Sequence, residues 1–322
     1  MIKIGIVGAD SADAGELIRI LINHPESDLI TLFSPRMNGR SVSSVHTGLI
    51  GENIVNFTDK IDPSALDVVF LTDNSDVSEQ IKNNRDKWPE LKIIDFSPSR
   101  RYITDGGFAF GLSEINRKEL VRGSIHSVIP SAAHVSVALI ALAPLAKFLL
   151  LTPSIKIDGI IGGIDDCTNE KGRLIESEIE VKLKEIQNSF NGKIILSQQS
   201  IKEEPRLLRQ TMELDCQLSL DEISKIYEEI YDDHNFTFIT HSPVGTNEVE
   251  GTQKVILTLD KPTPDKLIIQ AVGDSKMRGG AGDAVHVMNL LFGLYEKTGL
   301  QLKSHSYGLK QEQDSASSTW FA

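Results

Sequence analysis

The chain has 322 residues, which is too long for one minimal domain and predicts two. Its 33 basic and 45 acidic side chains give a formal net charge of −12, which disfavours a nucleic-acid partner. Two cysteines exclude a disulfide framework and indicate a reducing compartment, so we expect a cytoplasmic protein. The sequence has no apolar run of about 18 residues, so we expect no membrane-spanning helix.

The first hundred residues alternate short apolar runs with helical patterns. Strands are predicted over 2–7, 29–33, 68–71 and 93–96, and a helix over 14–23. Nearly continuous apolar runs are typical of strands that helices cover on both faces. The pattern therefore predicts an α/β fold with a Rossmann-like, doubly wound parallel sheet.

The rest of the chain predicts a second α/β unit. A very apolar helix over 135–151 is followed by further strands and helices. Strands are predicted over 154–164, 207–218, 236–240, 254–259 and 267–272, and helices over 176–190, 220–231 and 279–299. We expect residues 1–131 plus 279–307 to form the dinucleotide-binding domain. Residues 132–278 form an inserted substrate and oligomerisation domain, and 308–322 a disordered polar tail.

A glycine-containing loop follows the first predicted strand. Gly8, Ala9, Ser11 and Gly15 are the candidates for holding a pyrophosphate against backbone N–H groups at a helix N-terminus. The spacing G-x-x-G-x-x-G requires glycines at 8, 11 and 14, and only the first is present. The loop signal is therefore degraded.

Two aspartates in this loop oppose anion binding. At ~4 Å, each carboxylate–phosphate pair costs about 1 kcal/mol in bulk water. Asp13 also precedes Glu16 by three residues, a spacing like that of a capping box, and an Asp13 cap would satisfy the helix amides itself. Two interpretations stay open at this point, a cofactor loop and a self-capped loop without cofactor.

Ser34 and Arg36 follow the second predicted strand, where the adenosine ribose of a bound dinucleotide lies. No acidic residue ends that strand, so a phosphorylated dinucleotide, NADP, fits better than one with a free 2′-hydroxyl. The alternative is a solvated basic turn.

Several stretches, in order along the chain, resemble N-acetyl-gamma-glutamyl-phosphate reductases, the NADPH-dependent enzymes of arginine biosynthesis. They are AGELIR at 14–19, NHP at 23–25, VHTGL at 45–49, IDFS at 94–97, FGLSEINR at 110–117 and GGAGDAVHVMNLLFGL at 279–294. The chain is identified as a divergent member of this family, most similar to the variants of Bacteroides-like bacteria, whose substrate is succinylated rather than acetylated.

The resemblance implies a second domain like that of glyceraldehyde-3-phosphate dehydrogenase, and a homo-oligomer that assembles through the sheet of that domain. It implies a two-stage reduction, in which a cysteine thiolate forms a thioester, NADPH reduces it, and a histidine acts as acid and base. It also implies that Ser97 contacts the cofactor and that Arg100 and Arg101 lie where the family binds its acyl-amino-acid substrate, which paired guanidinium groups could hold by bidentate bonds. The alternative for the two arginines is a solvated loop pair.

The sequence departs from the family at its reactive groups. The family's N-P-G-C falls on residues 130–133, so the nucleophile position is Ala133. The histidine motif H-R-H-x-P-E-I falls on 180–186, which contains no histidine, and the S-G-A-G turn near 162–167 is altered. No catalytic group of the family is therefore intact.

Nearby side chains are poor replacements for the cysteine. Ser131 and Ser136 would form an oxygen ester, which is less electrophilic towards hydride than a thioester. Cys167 is separated from the site by the apolar helix and the following strand, and His134 is expected to be a capping or core residue. Two functions stay open: a reductase with altered chemistry, and a non-catalytic relative that binds a metabolite or regulates an active paralogue.

Overall fold

The computed structural model describes residues 1–98, 107–163 and 168–304. The strands are β1 (Ile2–Val7), β2 (Ser27–Phe33), β3 (Phe57–Thr58), β4 (Val68–Leu71), β5 (Lys92–Asp95), β6 (Ala109–Gly111), β7 (Ser127–Pro130), β8 (Ser154–Gly162), β9 (Lys193–Ile201), β10 (Leu207–Asp215), β11 (Thr237–Thr240), β12 (Val255–Thr263) and β13 (Lys266–Asp274). The helices are α1 (Ala12–Leu21), α2 (Asp76–Asn83), α3 (Ser113–Leu120), α4 (Ala133–Lys147), α5 (Asn169–Ile186), α6 (Leu220–Tyr231) and α7 (Ala281–Leu291).

The first sheet has the order β3-β2-β1-β4-β5-β7-β6, and every neighbouring pair is parallel. Its strands are short and apolar because helices cover both faces: α1 and α7 pack on one side, and the side chains of Val7, Val69 and Leu71 meet Ile81 of α2 on the other. The predicted Rossmann-like sheet is confirmed. All of its strands end at one edge, where ligands bind in this class of fold.

The second sheet is mixed, with the order β11-β12-β13-β10-β8-β9. Apolar side chains on one face, such as Ile157, Met212 and Leu257, form one core with α4, α5 and α6. The other face carries polar side chains, among them Arg209 and Thr211. The predicted second α/β unit is therefore confirmed, and the domain boundaries stay a prediction.

Helix α4 is buried along almost its whole length and contains a proline. Pro144 has no N–H to donate to the carbonyl of Ile140, one turn earlier. The hydroxyl of Tyr231 donates to that carbonyl instead, and the hydroxyl of Tyr227 donates to the carbonyl of Ala141 at 2.6 Å. Two tyrosines of α6 thereby satisfy backbone groups that the proline disturbs.

Strand β9 was not predicted, because its second half (SQQS) is polar and it lies at the edge of its sheet. Carboxylates of α5 protect this edge: Glu180 accepts from the amide of Ile194 at 2.8 Å, and Glu176 from that of Leu196 at 2.9 Å. The predicted helix over 176–190 in fact begins at Asn169, where the side chain of Thr168 caps it.

The last helix is shorter than predicted. It ends at Leu291, and Gly293 follows with φ +65°. A left-handed glycine just past the last turn terminates a helix, so the periodic apolar pattern up to 299 does not continue it. Among the described residues, no helix is both long and apolar enough to cross a bilayer.

Candidate functional site

The glycine loop lies between β1 and α1, at the edge of the sheet where the parallel strands end. Gly8 has φ +78°, and a Cβ there would lie 2.7 Å from Oγ1 of Thr72, the residue after β4. The hydroxyl of Thr72 donates to the carbonyl oxygens of Val7 and Gly8, which lie 2.9 and 2.8 Å from Oγ1. Only glycine fits this position. Thr72 fixes the loop, although nothing in the sequence marked it as a site residue.

Helix α1 begins two residues earlier than predicted, at Ala12, and its N-cap is Ser11. Ser11 Oγ accepts from the amide of Ala14 at 3.1 Å and donates to Thr72 Oγ1 at 3.0 Å. The alternative of an Asp13 cap was therefore wrong, because the earlier start places Asp13 inside the first turn.

His46 braces the same loop from the side. Its Nε2–H donates to the carbonyl of Ala9 at 2.8 Å. The ring lies against Gly15, where a Cβ would come 2.5 Å from Nδ1. One imidazole thus contacts both candidates, Ala9 and Gly15, although in the sequence His46 stands out only as part of the VHTGL motif.

Ser34 and Arg36 follow β2 at the same edge. Ser34 is buried, and its Oγ has no hydrogen-bond partner among the described residues. Arg36 forms an ion pair with Asp10 of the loop. The ion pair neutralises the carboxylate of Asp10, one of the two aspartates expected to oppose anion binding. It also occupies the guanidinium of Arg36, which is expected to bind the 2′-phosphate.

Ser97 follows β5, also at this edge, and is fully buried. Its amide donates to Asp95 Oδ1 at 3.0 Å, while its Oγ has no hydrogen-bond partner within the described part of the chain. Arg100, Arg101, Cys167 and the predicted tail lie outside the described residues.

These features fit a dinucleotide. A turn that only glycine can form lets the backbone come close to a pyrophosphate, and the buried hydroxyls of Ser34 and Ser97 have hydrogen-bonding capacity to spare. No group of three or more His, Cys, Asp or Glu side chains among the described residues could hold a metal ion.

Ala133, the position that the resemblance assigns to the nucleophile, is the first residue of α4 and follows β7 at the same edge. Its side chain is a methyl group, and the residue is 8% exposed. Gly279, with φ +66°, packs directly on it: a Cβ there would lie 2.0 Å from the amide nitrogen of Ala133. The turn before α7 therefore closes over the N-terminus of α4.

The described neighbours of Ala133 do not provide a placed nucleophile. Ser131 is fully buried, and its Oγ is 3.4 Å from the carbonyl of Ala132. His134 is a core residue, as expected: its Nδ1 is 3.2 Å from Nε2 of Gln210, and its ring lies against Gly159 of β8.

The other cysteine is remote from this position. Cys216 directly follows β10 and is buried in the apolar core of the second sheet. Arg206, just before the other end of β10, contacts Glu16 of α1. At about 3.3 Å per residue, Cys216 lies roughly 30 Å along the strand from Arg206. Within the described residues, no thiol lies near Ala133.

A buried ion cluster fixes the turn that covers Ala133. Arg278 is fully buried and pairs with Glu114 at 2.7 Å and with Asp283 at 3.2 Å, and its Nε donates to the carbonyl of Gln253 at 2.9 Å. The amide of Gly279 donates to Asp283 at 2.7 Å. Burial alone would raise the pKa of Glu114, but the charges of Arg278 and of neighbouring histidines lower it to about 2.

Arg206 connects the glycine-loop helix to this turn. It donates to Glu16 of α1 at 2.8 Å and to Asp274, at the end of β13, at 2.6 Å. Asp274 in turn accepts from the amide of Lys276 at 2.8 Å. Burial would raise the pKa of Glu16, but Arg206 and Arg19 lower it overall.

The fold and the glycine loop define a protein with two α/β units, the first of which is a Rossmann-like domain of the dinucleotide-binding type. Residues 3–122 match the family described as semialdehyde dehydrogenase, NAD binding domain. Aspartate semialdehyde dehydrogenase II from Vibrio cholerae superposes with a TM-score of 0.70 at 14% identity, over 92% of this chain and 99% of that one. The Candida albicans enzyme, solved with NADP, superposes with a TM-score of 0.68 at 13% identity, over 91% and 98%.

The chain belongs to the N-acetyl-gamma-glutamyl-phosphate reductase family. The reductase of Parabacteroides distasonis is 33% identical over 95% of this chain and 100% of its own length. That of Azobacteroides pseudotrichonymphae is 35% identical over the same shares.

Proposed function

We propose that this chain is a non-catalytic member of its family, which binds a nicotinamide dinucleotide and a small acyl-amino-acid ligand without forming a thioester. The observation that supports it is Ala133, a methyl group where the family places its nucleophile, under a turn closed by Gly279. Its role is then to bind a metabolite, or to regulate an active paralogue by pairing with it. Reductase activity with altered chemistry is the second candidate, and the glycine loop that fits a dinucleotide favours it.

The proposed dinucleotide is NADP, which would supply a hydride donor or acceptor when bound. Gly8, Ala9, Ser11 and Gly15 would hold its pyrophosphate, Ser34 and Arg36 its adenosine ribose, and Ser97 the part nearer Ala133. The proposed acyl-amino-acid ligand would be held by Arg100 and Arg101, the paired guanidinium groups singled out in the sequence.

We expect calorimetric titration to show micromolar binding of NADPH and weaker binding of NADH. Replacing Arg36 by leucine should weaken NADPH binding about tenfold and leave NADH unchanged, because the guanidinium serves only the 2′-phosphate. The same change at exposed Arg122, outside this segment, is the control. Equal affinity for NADPH and NADH, or an equal loss of NADPH affinity in both variants, would contradict the assignment of NADP. Absence of binding to either dinucleotide would contradict the proposal that the chain binds a cofactor.

We expect acyl-phosphate reduction to be at least about 10⁴-fold slower than in an active relative, by analogy with the loss of a catalytic nucleophile elsewhere. The Ala133→Cys variant should gain a thiol with a lowered pKa at the N-terminus of α4, detectable as rapid alkylation. It should nevertheless stay inactive, because no histidine occupies the expected acid–base segment. Turnover by the wild type at the rate of an active relative would contradict the non-catalytic proposal, and Cys167→Ser would then show whether that thiol is the nucleophile.

We also propose a homo-oligomer formed through the open face of the second sheet. A groove of about 740 Å³ on this face is lined by Arg209, Asp158 and Asp260, among others. Cations and carboxylates on one surface suit pairing with a second copy. Light scattering should give a multiple of the monomer mass, and Arg209→Glu should lower it. A monomer at high concentration would overturn this, and co-purification of a homologous chain would identify a hetero-oligomer.

A further inference from the structure

Helix α5 carries two buried ionisable side chains one turn apart. Glu178 and Lys182 are each only 7% exposed, although both are long charged groups that normally reach water. Burying such groups is costly unless they are fully paired. Their surroundings therefore indicate whether they serve the fold or a ligand.

Their hydrogen-bonding capacity is not saturated within the described residues. Glu178 Oε2 has no hydrogen-bond partner there. The ammonium of Lys182 contacts both oxygens of Glu185 at 3.0 Å, on the solvent side, and its opposite side lies 4.8 Å from the ring centre of Phe110. The buried carboxylates Glu114 and Asp283, by contrast, share Arg278.

Lys182 lies beside β6, the strand that borders β7 in the first sheet. Phe110 lies in β6, whose next residue, Gly111, is paired with Pro130 of β7. The carbonyl of Gly111 accepts from the amide of Ser131 at 3.3 Å, two residues before Ala133. Lys182 therefore lies beside the strand that pairs with the segment leading to Ala133, and Glu178 lies one turn earlier on the same helix.

We propose that Glu178 and Lys182 form a carboxylate-binding site, in which Lys182 supplies an ammonium and Glu178 a carboxyl O–H donor to a ligand of the acyl-amino-acid type. This inference rests on the proposed function and adds the residues that read the ligand's acid group. A cation beside a protonated carboxyl complements a carboxylate in both charge and hydrogen bonding.

The electrostatics support this role. Burial raises the pKa of Glu178 to about 7, against the opposing effect of Lys182. Lys182 is the charged group of the described residues that acts on it. Helix α4, packed against α5, carries only His134 as a titratable side chain between Ala133 and Ala146, and β9 contributes backbone amides. The carboxyl group is therefore largely protonated at pH 6 and largely ionised at pH 8.

The test is calorimetric titration of the full chain with N-acetylglutamate at pH 6, 7 and 8. The carboxylates of the probe stay ionised across this range, so a change in affinity reports on the protein. Ionisation of Glu178 removes its donor and repels the ligand, and we expect the affinity to fall about tenfold from pH 6 to 8. Glu178→Gln keeps an N–H donor that cannot ionise, and its affinity should stay near the pH 6 value throughout.

Two lysine variants separate a local effect from a general charge effect. Lys182→Gln should weaken binding about tenfold at each pH, whereas Lys184→Gln, on the exposed side of the same helix, should change it less than twofold. Unfolding without ligand gives an independent readout. Because the pKa of Glu178 is higher in the folded than in the unfolded protein, its contribution to stability is complete below the pKa of the unfolded state and is lost as the pH rises through about 7. Glu178→Gln should therefore raise the Tm at pH 8 and not at pH 5.

Unchanged affinity and pH dependence in both variants, with wild-type binding intact, would overturn this site and leave the proposed function standing. Binding of NADPH without binding of N-acetylglutamate would also overturn it. Absence of both would remove the proposed function, and this inference with it.

Discussion

Replacing Arg278 by methionine should destabilise the protein by about 3–5 kcal/mol at pH 7, because it leaves the buried carboxylates of Glu114 and Asp283 without their shared cation. The measurement is urea unfolding followed by circular dichroism. Arg278→Lys keeps the charge, loses the planar two-sided contact and should cost less. Equal losses in the two variants would show that packing, and not charge, holds this cluster.

The pH dependence of this loss follows from Glu114. Its pKa of about 2 lies below the usual value of 4.5, so it contributes stability that is present above pH 4.5 and lost as pH falls towards 2. Without Arg278 that contribution disappears, and the deficit should be larger at pH 7 than at pH 4.5. Where Arg278→Met does not fold, the additional changes Glu114→Gln and Asp283→Asn should restore folding in part, because no buried charge is left unpaired.

The second large effect is expected at Gly279, where we predict that alanine costs roughly 2–5 kcal/mol of unfolding free energy. About 1–2 kcal/mol comes from its left-handed backbone, and a further 1–3 from overpacking, because the new Cβ would lie 2.0 Å from the amide nitrogen of Ala133. Gly123 has φ +71° with nothing within 4 Å, so Gly123→Ala measures the backbone cost alone.

A double variant tests the steric cause. The atoms struck are the backbone nitrogen and Cα of Ala133 and the carbonyl carbon of Ala132, so adding Ala133→Gly should bring no relief. Equal losses at Gly279 and Gly123, or recovery in the double variant, would contradict the close backbone packing of the turn on α4.

Four strands of the first sheet, β1, β2, β4 and β5, could be predicted to within two residues, because a parallel sheet between helices requires short apolar runs. The short strands β3, β6 and β7 were not predicted. The edge strand β9 could not, because half of it faces solvent and its edge is protected by Glu176 and Glu180 of a helix that comes earlier in the chain. Helix ends were misplaced where a cap decides them, as with Ser11 and Thr168, because a cap depends on local backbone geometry.

Gly8, Ser34 and Ser97 lie within two residues of the ends of β1, β2 and β5, as the sequence predicts, and their role in binding a dinucleotide stays a prediction. The partners that hold the loop and α1 were not predictable: Thr72, His46 and Arg206 lie 37 or more positions away from the residues to which they are hydrogen-bonded. Such contacts depend on how β4, the segment around His46 and the second sheet come together around α1.

The sequence by itself determined the α/β class, the family and the methyl group at position 133, because these follow from apolar periodicity and from motifs in order along the chain. Only the tertiary structure decided that Gly279 closes over Ala133, that Arg278 anchors this turn, and that Glu178 and Lys182 lie buried beside Phe110. The reason is physical: burial and charge pairing depend on which distant segments pack together, and a linear pattern does not record those distances.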